Sequence, residues 1–160
     1  MTLIASVSGI RGTIGGEINQ NLTPVDVVAF AAAYGSWIKT MHQLATVVVG
    51  RDARISGPMV QALVQQTLVS LGINVIDVGL STTPTVEMEV VRKQAQGGII
   101  ITASHNPKQW NALKLLNNKG EFISAEDGSE LLQYVIDRSY DFVGVDDLGK
   151  INVVTDALTA

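Results

Sequence analysis

A serine hydroxyl and an imidazole stand side by side in the segment TASHNP at 102–107. Adjacent residues of an extended segment point to opposite sides, so His105 is badly placed to deprotonate Ser104, and no G-x-S-x-G elbow surrounds the serine. These features disfavour a serine hydrolase. Two interpretations remain from the residues alone. Ser104 and Asn106 make turn hydrogen bonds ahead of a proline, or the Ser104 hydroxyl carries a phosphoryl group.

A second candidate segment is the glycine-rich stretch SVSGIRGTIGG at 6–16. Glycines such as Gly9 and Gly12 let backbone N–H groups approach an anion closely, and the planar guanidinium of Arg11 suits a phosphate. The stretch therefore favours a phosphate or phosphosugar cradle, with a purely structural turn as the alternative. It contains neither of the two common phosphate-binding fingerprints, G-x-G-x-x-G after a strand and G-x-x-x-x-G-K-[ST].

Cationic side chains concentrate in three segments, 9–16, 50–57 and 102–114. These segments hold five of the eleven Lys and Arg residues of the chain and only one of its fifteen acids, Asp52, which we expect to pair with a neighbouring arginine. Ligands of open parallel sheets bind outside the carboxyl ends of the strands. The sequence therefore predicts that positive charge collects at one end of a sheet, where an anionic ligand binds.

The elements that would position these segments follow from apolar periodicity and from capping residues. Apolar residues recurring every three or four positions behind Thr-Pro, Pro or Ser caps predict helices at about 24–42, 58–71, 83–94 and 124–138. The last of these has a predicted inner face of Leu131, Leu132, Val135 and Ile136. Short apolar runs predict strands at 3–7, 45–49, 73–78, 98–102 and 112–116.

The order of these elements predicts the architecture. Strands that alternate with helices form parallel sheets covered on both faces. The run at 112–116 follows the preceding strand after only a loop, which is too short for a parallel crossover, so we expect an antiparallel strand at an edge. The predicted fold is α/β, with helices on both faces of a mostly parallel mixed sheet that has an antiparallel edge strand.

Composition excludes several classes of protein. The 160 residues are 46% hydrophobic and 16% charged, as in a globular domain. A net charge of −4 disfavours nucleic acid or an anionic membrane as partner. Absence of cysteine excludes disulfides, thiolate metal sites and a cysteine nucleophile. The start of the sequence lacks the features of a signal peptide, and no apolar run is long enough to span a membrane, so we expect a cytoplasmic protein.

Three motifs together resemble the first domain of the α-D-phosphohexomutase family over about residues 1–140. They are TASHNP after the GGIII strand, SGIRG near the start, and GRDAR after the second strand of the alternating series. The family comprises phosphoglucomutases, phosphomannomutases and phosphoglucosamine mutases. Its TASHNP serine is phosphorylated in the resting enzyme, gives the phosphoryl group to a hexose monophosphate, and regains one after the bisphosphate intermediate turns around.

The resemblance implies a role for each matching residue. Ser104 becomes the phosphoserine, and one oxygen of its phosphate becomes a ligand of Mg²⁺. His105 becomes a neighbour that contacts the phosphoryl region. Arg11 and Lys114 match an arginine and a lysine that assist proton transfer or stabilise charge at the reacting oxygens.

The substrate-binding residues implied by the same motifs are Gly9, Gly12, Asn106 and Asn111. The family pattern Asn-Gly-x-Lys appears here as NALK at 111–114, so Ala112 replaces the usual glycine. The function implied is movement of a phosphoryl group between the 1- and 6-positions of a hexose phosphate. The alternative is a non-catalytic α/β module that binds phosphosugars.

Other parts of the family's machinery have no counterpart in the sequence. The aspartate-rich metal loop, the Gly-Glu-x-Ser-Gly segment that selects the sugar, and the C-terminal phosphate clamp are absent. We therefore expect residues 1–140 to be a phosphoserine-bearing first domain and 141–160 a linker with the start of a truncated interdomain helix. The expected partners are a hexose phosphate and the remaining domains of the parent protein, which would supply the other Mg²⁺ ligands. This chain alone is expected to be inactive.

Overall fold

The computed structural model describes residues 1–6 and 9–155, and within these ranges the strands form one seven-stranded mixed sheet. Its order is β1-β2-β6-β5-β3-β4-β7. The strands are β1 (Ile4–Ser6), β2 (Gly9–Thr13), β3 (Thr46–Arg51), β4 (Asn74–Leu80), β5 (Gly97–Ile101), β6 (Trp110–Leu116) and β7 (Ile151–Val153). The helices are α1 (Pro24–Met41), α2 (Gly57–Ser70), α3 (Thr83–Arg92) and α4 (Ala125–Asp137).

The predicted fold class is confirmed. Strands β5, β3, β4 and β7 are parallel, whereas β1, β2 and β6 pair antiparallel and join the parallel part through β5. Helices α1, α2 and α4 cover one face of the sheet, and α3 covers part of the other. The uncovered part of the α3 face lies over β2 and the first half of β6.

Two strand predictions are wrong in detail. The predicted first parallel strand is β1, which pairs antiparallel with β2, a strand that we interpreted as part of a loop. The sequence of β2, GIRGT, lacks an apolar alternation, and its hydrogen bonds come from a distant partner, β6. Strand β6 is antiparallel as predicted, but it lies inside the sheet because β2 covers its free side.

The helix predictions are largely confirmed. Thr23 and Asp26 form the capping box of α1, and Gly72 ends the α2 region with φ +79°. Helix α3 has Thr82 as its N-cap, one residue before the predicted cap. On α4, Leu131 is buried, but Ile136 is 73% exposed, so its assignment to the inner face is wrong. Helix α4 packs against α1, and Leu131 is the residue that this helix buries, whereas the rest of α4 is partly or fully exposed.

The segment after α4 contributes to the sheet. Residues 145–147 form a 3-10 turn, and β7 then pairs in parallel with β4 at the sheet edge. The segment 141–160, predicted to be a linker with the start of an interdomain helix, thus includes a strand that belongs to the sheet. The predicted interdomain helix begins at Thr155, and its remaining residues, 156–160, lie outside the described residues.

Tyr34 connects α1 to the sheet. Its fully buried hydroxyl donates to the Leu116 carbonyl at 2.6 Å and accepts the Gly98 N–H at 2.9 Å, so it bridges β5 and β6. Burial raises the pKa of this hydroxyl, which therefore stays protonated and can donate.

Replacing Tyr34 with phenylalanine is expected to lower the free energy of unfolding by about 1–3 kcal/mol, because the Gly98 N–H would be buried without a partner. Equilibrium urea unfolding measures the change. Tyr134→Phe on α4 is the matched control. Because the Tyr134 ring is partly exposed, this substitution should lower the free energy of unfolding by less than about 0.5 kcal/mol. Equal effects of the two substitutions would show that the hydrogen bonds of Tyr34 do not contribute to the free energy of unfolding.

Candidate active site

Ser104 lies in the loop that joins β5 to β6, outside the carboxyl end of β5. Its side chain is exposed, and its backbone has φ +53°, in the left-handed region. For a residue with a Cβ this conformation costs about 1–2 kcal/mol, so surrounding contacts must maintain it.

The segment that follows β3 supplies those contacts. The Ser104 N–H donates to Thr102 Oγ1 at 3.1 Å, and the Thr102 hydroxyl donates to Asp52 at 2.6 Å. The Ser104 carbonyl accepts from Arg54 at 2.9 Å. Asp52 and Arg54 are themselves an ion pair of 3.4 Å, which confirms that Asp52 pairs with a neighbouring arginine. The ion pair of Asp52 and Arg54 therefore holds the peptide groups on both sides of Ser104. Asp52 acts on the Ser104 N–H through Thr102, and Arg54 binds the Ser104 carbonyl directly.

The Ser104 hydroxyl faces a cation. Lys114 Nζ donates to Ser104 Oγ at 2.9 Å. Lys114 lies on β6 directly across from Gly9 on β2, and Arg11 lies across from Ala112. Because side chains alternate along a strand, Arg11 and Lys114 lie on the same face of the sheet, the face that α3 leaves uncovered.

Gly9 and Ala112 explain how β2 and β6 approach each other beside this face. Gly9 has φ +137°, and a Cβ there would collide with the Leu113 carbonyl oxygen, so a larger residue would push β2 away. Ala112 lies in regular strand β6, outside the positive-φ region. The backbone at this position therefore accepts an alanine where the family usually has glycine.

A pocket of about 290 Å³ opens above Ser104, between β2, β6 and the β5–β6 loop. Five of the predicted site residues line it, namely Gly9, Arg11, Ser104, Asn106 and Lys114. Two cations and one hydroxyl thus line the same cavity. Such a cavity suits an anionic phosphoryl group, whose oxygens accept charge-assisted hydrogen bonds.

Three predicted site residues do not line this pocket. Gly12 and Asn111 oppose each other on β2 and β6, one position out of phase with Arg11, so they face the other side of the sheet. Asn111 is fully buried and donates to Ser56 Oγ at 2.8 Å, which makes it a structural residue in this conformation. His105 is exposed beside Ser104 and lies outside the pocket lining.

The main residue missed by sequence analysis is Arg54. Its position after β3 indicated the right end of the sheet, but its partners are carbonyl oxygens some fifty positions away in the chain. Carbonyl groups occur at every residue, so no sequence pattern identifies these partners. Ser6, which also lines the pocket, was missed because it belongs to the unrecognised antiparallel hairpin.

The described residues offer little to a metal ion by themselves. Within 1–6 and 9–155, no three His, Asp or Glu side chains come together as a metal cluster. The one carboxylate within the three basic segments, Asp52, is engaged by Thr102 and Arg54. In the same ranges no helix is long and apolar enough to cross a membrane.

Comparison with known proteins identifies the family of this domain. A model of the family described as phosphoglucomutase/phosphomannomutase, alpha/beta/alpha domain I, matches residues 3–140. Phosphoglucosamine mutase of Natranaerobius thermophilus is 34% identical over 94% of this chain and 33% of its own length. Phosphoglucomutase/phosphomannomutase of Thermococcus kodakarensis is 39% identical over 72% of this chain and 26% of its own length.

A solved structure shows the same architecture. A phosphoglucomutase/phosphomannomutase family protein from Burkholderia thailandensis superposes with a TM-score of 0.78 and 25% identity, over 94% of this chain and 32% of that one. The fold and the pocket define an α/β domain with an exposed serine in a cationic cavity. The chain belongs to the phosphoglucomutase/phosphomannomutase family, as its domain I, and spans between about a quarter and a third of the length of these curated relatives.

Proposed function

We propose that the protein moves a phosphoryl group between the 1- and 6-positions of a hexose phosphate, and that this domain carries the phosphoryl group on Ser104. The observation that carries the proposal is the 2.9 Å contact between Lys114 Nζ and the Ser104 hydroxyl, in a pocket that also holds Arg11. A phosphoserine at this position brings a charge of about −1.5 to −2. The two cations are placed to offset it.

The transfer step follows from this geometry. The bond between phosphorus and Ser104 Oγ breaks and a bond from phosphorus to a sugar hydroxyl oxygen forms. The proton of that hydroxyl passes to solvent water, from which Lys114 regains the proton that it gives to Oγ. The departing Oγ takes up a proton, and Lys114 is the donor within hydrogen-bond distance. Arg11 extends from the same face of the sheet and stabilises charge on the transferred group. The reverse step returns a phosphoryl group to Ser104.

The proposal includes Mg²⁺, with the phosphate on Ser104 as the contribution of this chain to its binding. A bound Mg²⁺ neutralises charge on the transferred group. Since the described residues contain no cluster of carboxylates, the other ligands would come from the remaining domains of the parent protein.

Several expectations from the sequence stay predictions. These are residues 1–140 as the phosphoserine-bearing domain, the other domains of the parent as partners, and a cytoplasmic location. The two relatives described above are named phosphoglucosamine mutase and phosphoglucomutase/phosphomannomutase, so glucosamine, glucose and mannose phosphates are the candidate substrates. Coupled assays of the full-length protein with each sugar phosphate test the choice.

Activity is expected in the full-length protein and not in residues 1–160 alone. Phosphoryl transfer depends almost entirely on positioning and charge stabilisation, and this domain holds only part of both. Coupled isomerisation assays of the two proteins, side by side, measure the difference. Turnover by the purified fragment would contradict the division of the site between domains. A full-length protein that binds hexose phosphates without isomerising them would instead be a phosphosugar-binding module.

A further inference from the structure

We propose that Arg54 is a positioning residue for the phosphoryl donor, acting through the loop that carries Ser104. Its guanidinium donates to four carbonyl oxygens of that loop. Nη2 binds the carbonyls of Ser104 at 2.9 Å and Asn106 at 2.7 Å, and Nη1 binds those of Pro107 at 2.8 Å and Trp110 at 3.0 Å. The catalytic part of this proposal rests on the function proposed above.

These four carbonyls define the shape of the loop. Their oxygens carry partial negative charge and converge on one point although they span seven consecutive residues, 104–110. Bringing them together is unfavourable unless a cation fills the space between them. The planar fork of an arginine offers four N–H groups on two nitrogens, whereas a lysine has a single nitrogen with three donors. The loop is therefore built around a guanidinium and not simply around a positive charge.

Arg54 is also held by contacts outside the loop. Its side chain is only 12% exposed, its Nε lies 3.4 Å from Asp52 Oδ2, and its backbone N–H donates to Asp52 at 3.1 Å. Asp52 also accepts the hydroxyl of Thr102, which in turn holds the Ser104 N–H. The pair of Asp52 and Arg54 thus joins the end of β3 to both sides of Ser104.

The contacts of Asp52 and Arg54 with the loop set the distance between Ser104 Oγ and Lys114 Nζ, on which the proposed transfer depends. Lys114 lies on β6 and Ser104 lies in the loop, so the contact between Lys114 Nζ and Ser104 Oγ depends on where the loop is held relative to the strand. The same bonds keep Ser104 in its left-handed conformation. A displacement of about 1 Å at a reacting group can lower a rate by about 10²-fold. Loss of the guanidinium should therefore slow phosphoryl transfer even though Arg54 does not line the pocket.

The test compares Arg54→Lys and Arg54→Met in the full-length protein. We expect kcat to fall by about 10²-fold in both, because the lysine keeps the charge but not the fork. The control is Lys119→Met, which removes an exposed cation at the opposite end of β6 and should leave kcat unchanged. Full activity in Arg54→Lys would overturn the proposal, since charge alone would then suffice.

Amide hydrogen exchange provides a readout that does not depend on mutase activity. In both Arg54 variants, the hydrogen-bonded amides of Ser104, Asn106 and Trp110 should exchange at least about tenfold faster, while those of β3 and β5 keep their wild-type rates. Faster exchange throughout the sheet, with activity following the folded fraction, would show a general structural role and overturn the positioning role. Unchanged exchange in the loop would overturn it as well. If the wild-type protein has no mutase activity, the proposed function fails, and loop exchange still decides whether Arg54 holds the loop.

Discussion

Replacing Ser104 with alanine in the full-length protein is expected to remove its phosphoryl group and to lower mutase turnover by at least about 10³-fold. The physical reason is that a covalent carrier has no substitute once its oxygen is deleted, so both halves of the transfer cycle stop. Intact-mass analysis with peptide mapping measures the phosphoryl group, and a coupled assay measures turnover. Ser139→Ala, which removes an exposed hydroxyl after α4, should change neither.

The site of phosphorylation is itself decisive. Ser56 Oγ accepts from the buried Asn111 amide, and Ser81 Oγ donates to the Val78 carbonyl, so both hydroxyls are engaged in structural hydrogen bonds. Ser104 is exposed to the pocket with a cation beside it. Phosphate on Ser56 or Ser81, or full activity in Ser104→Ala, would contradict the phosphoserine assignment and favour a phosphosugar-binding module.

A glycine at position 104 separates the role of the hydroxyl from the stability of the loop. Glycine adopts φ +53° without the cost that a Cβ imposes, so Ser104→Gly should be as inactive as Ser104→Ala while its Tm is no lower than that of the wild type. Thermal unfolding and the coupled assay measure the two effects. A glycine variant that unfolds earlier would show that the serine side chain stabilises the loop.

The parallel part of the fold was predictable because its signals are local. Strands β3, β4 and β5 are short runs of β-branched residues, and the Thr-Pro cap of α1 and Gly72 after α2 mark helix boundaries with defined backbone chemistry. Strand β2 was not predictable in this way. It contains two glycines and an arginine in five residues, and its place is set by hydrogen bonding to β6, about one hundred positions later.

The distinction between local sequence signals and long-range strand pairing also applies to the site. Ser104, Arg11 and Lys114 were identified from motifs, and the structure brings them into one pocket. The missed β2 strand also explains why Gly12 and Asn111 lie outside the lining of the pocket. Treated as loop residues, they had no assigned direction, whereas pairing on β2 and β6 turns both away from the pocket. Strand register, which depends on the tertiary fold, decides which motif residues reach the ligand.

Removing either pocket cation should lower turnover without unfolding the protein. Lys114→Ala removes the donor that lies 2.9 Å from Ser104 Oγ, and Arg11→Ala removes the guanidinium on the same face of the sheet. Both groups act on charge that develops during transfer, so we expect each change to lower kcat by about 10²-fold or more.

Stability should hardly change in either variant. Arg11 is exposed and Lys114 only partly buried, and a surface charge contributes little to the free energy of unfolding, so Tm should stay within about 2 °C of the wild-type value. Lys119→Ala, the exposed cation at the far end of β6, controls for a general loss of positive charge and should retain full turnover. A large fall in Tm, with residual activity proportional to the folded fraction, would mean that the two cations hold β2 against β6. In that case stabilisation of the transferred phosphoryl group would have to come from other residues.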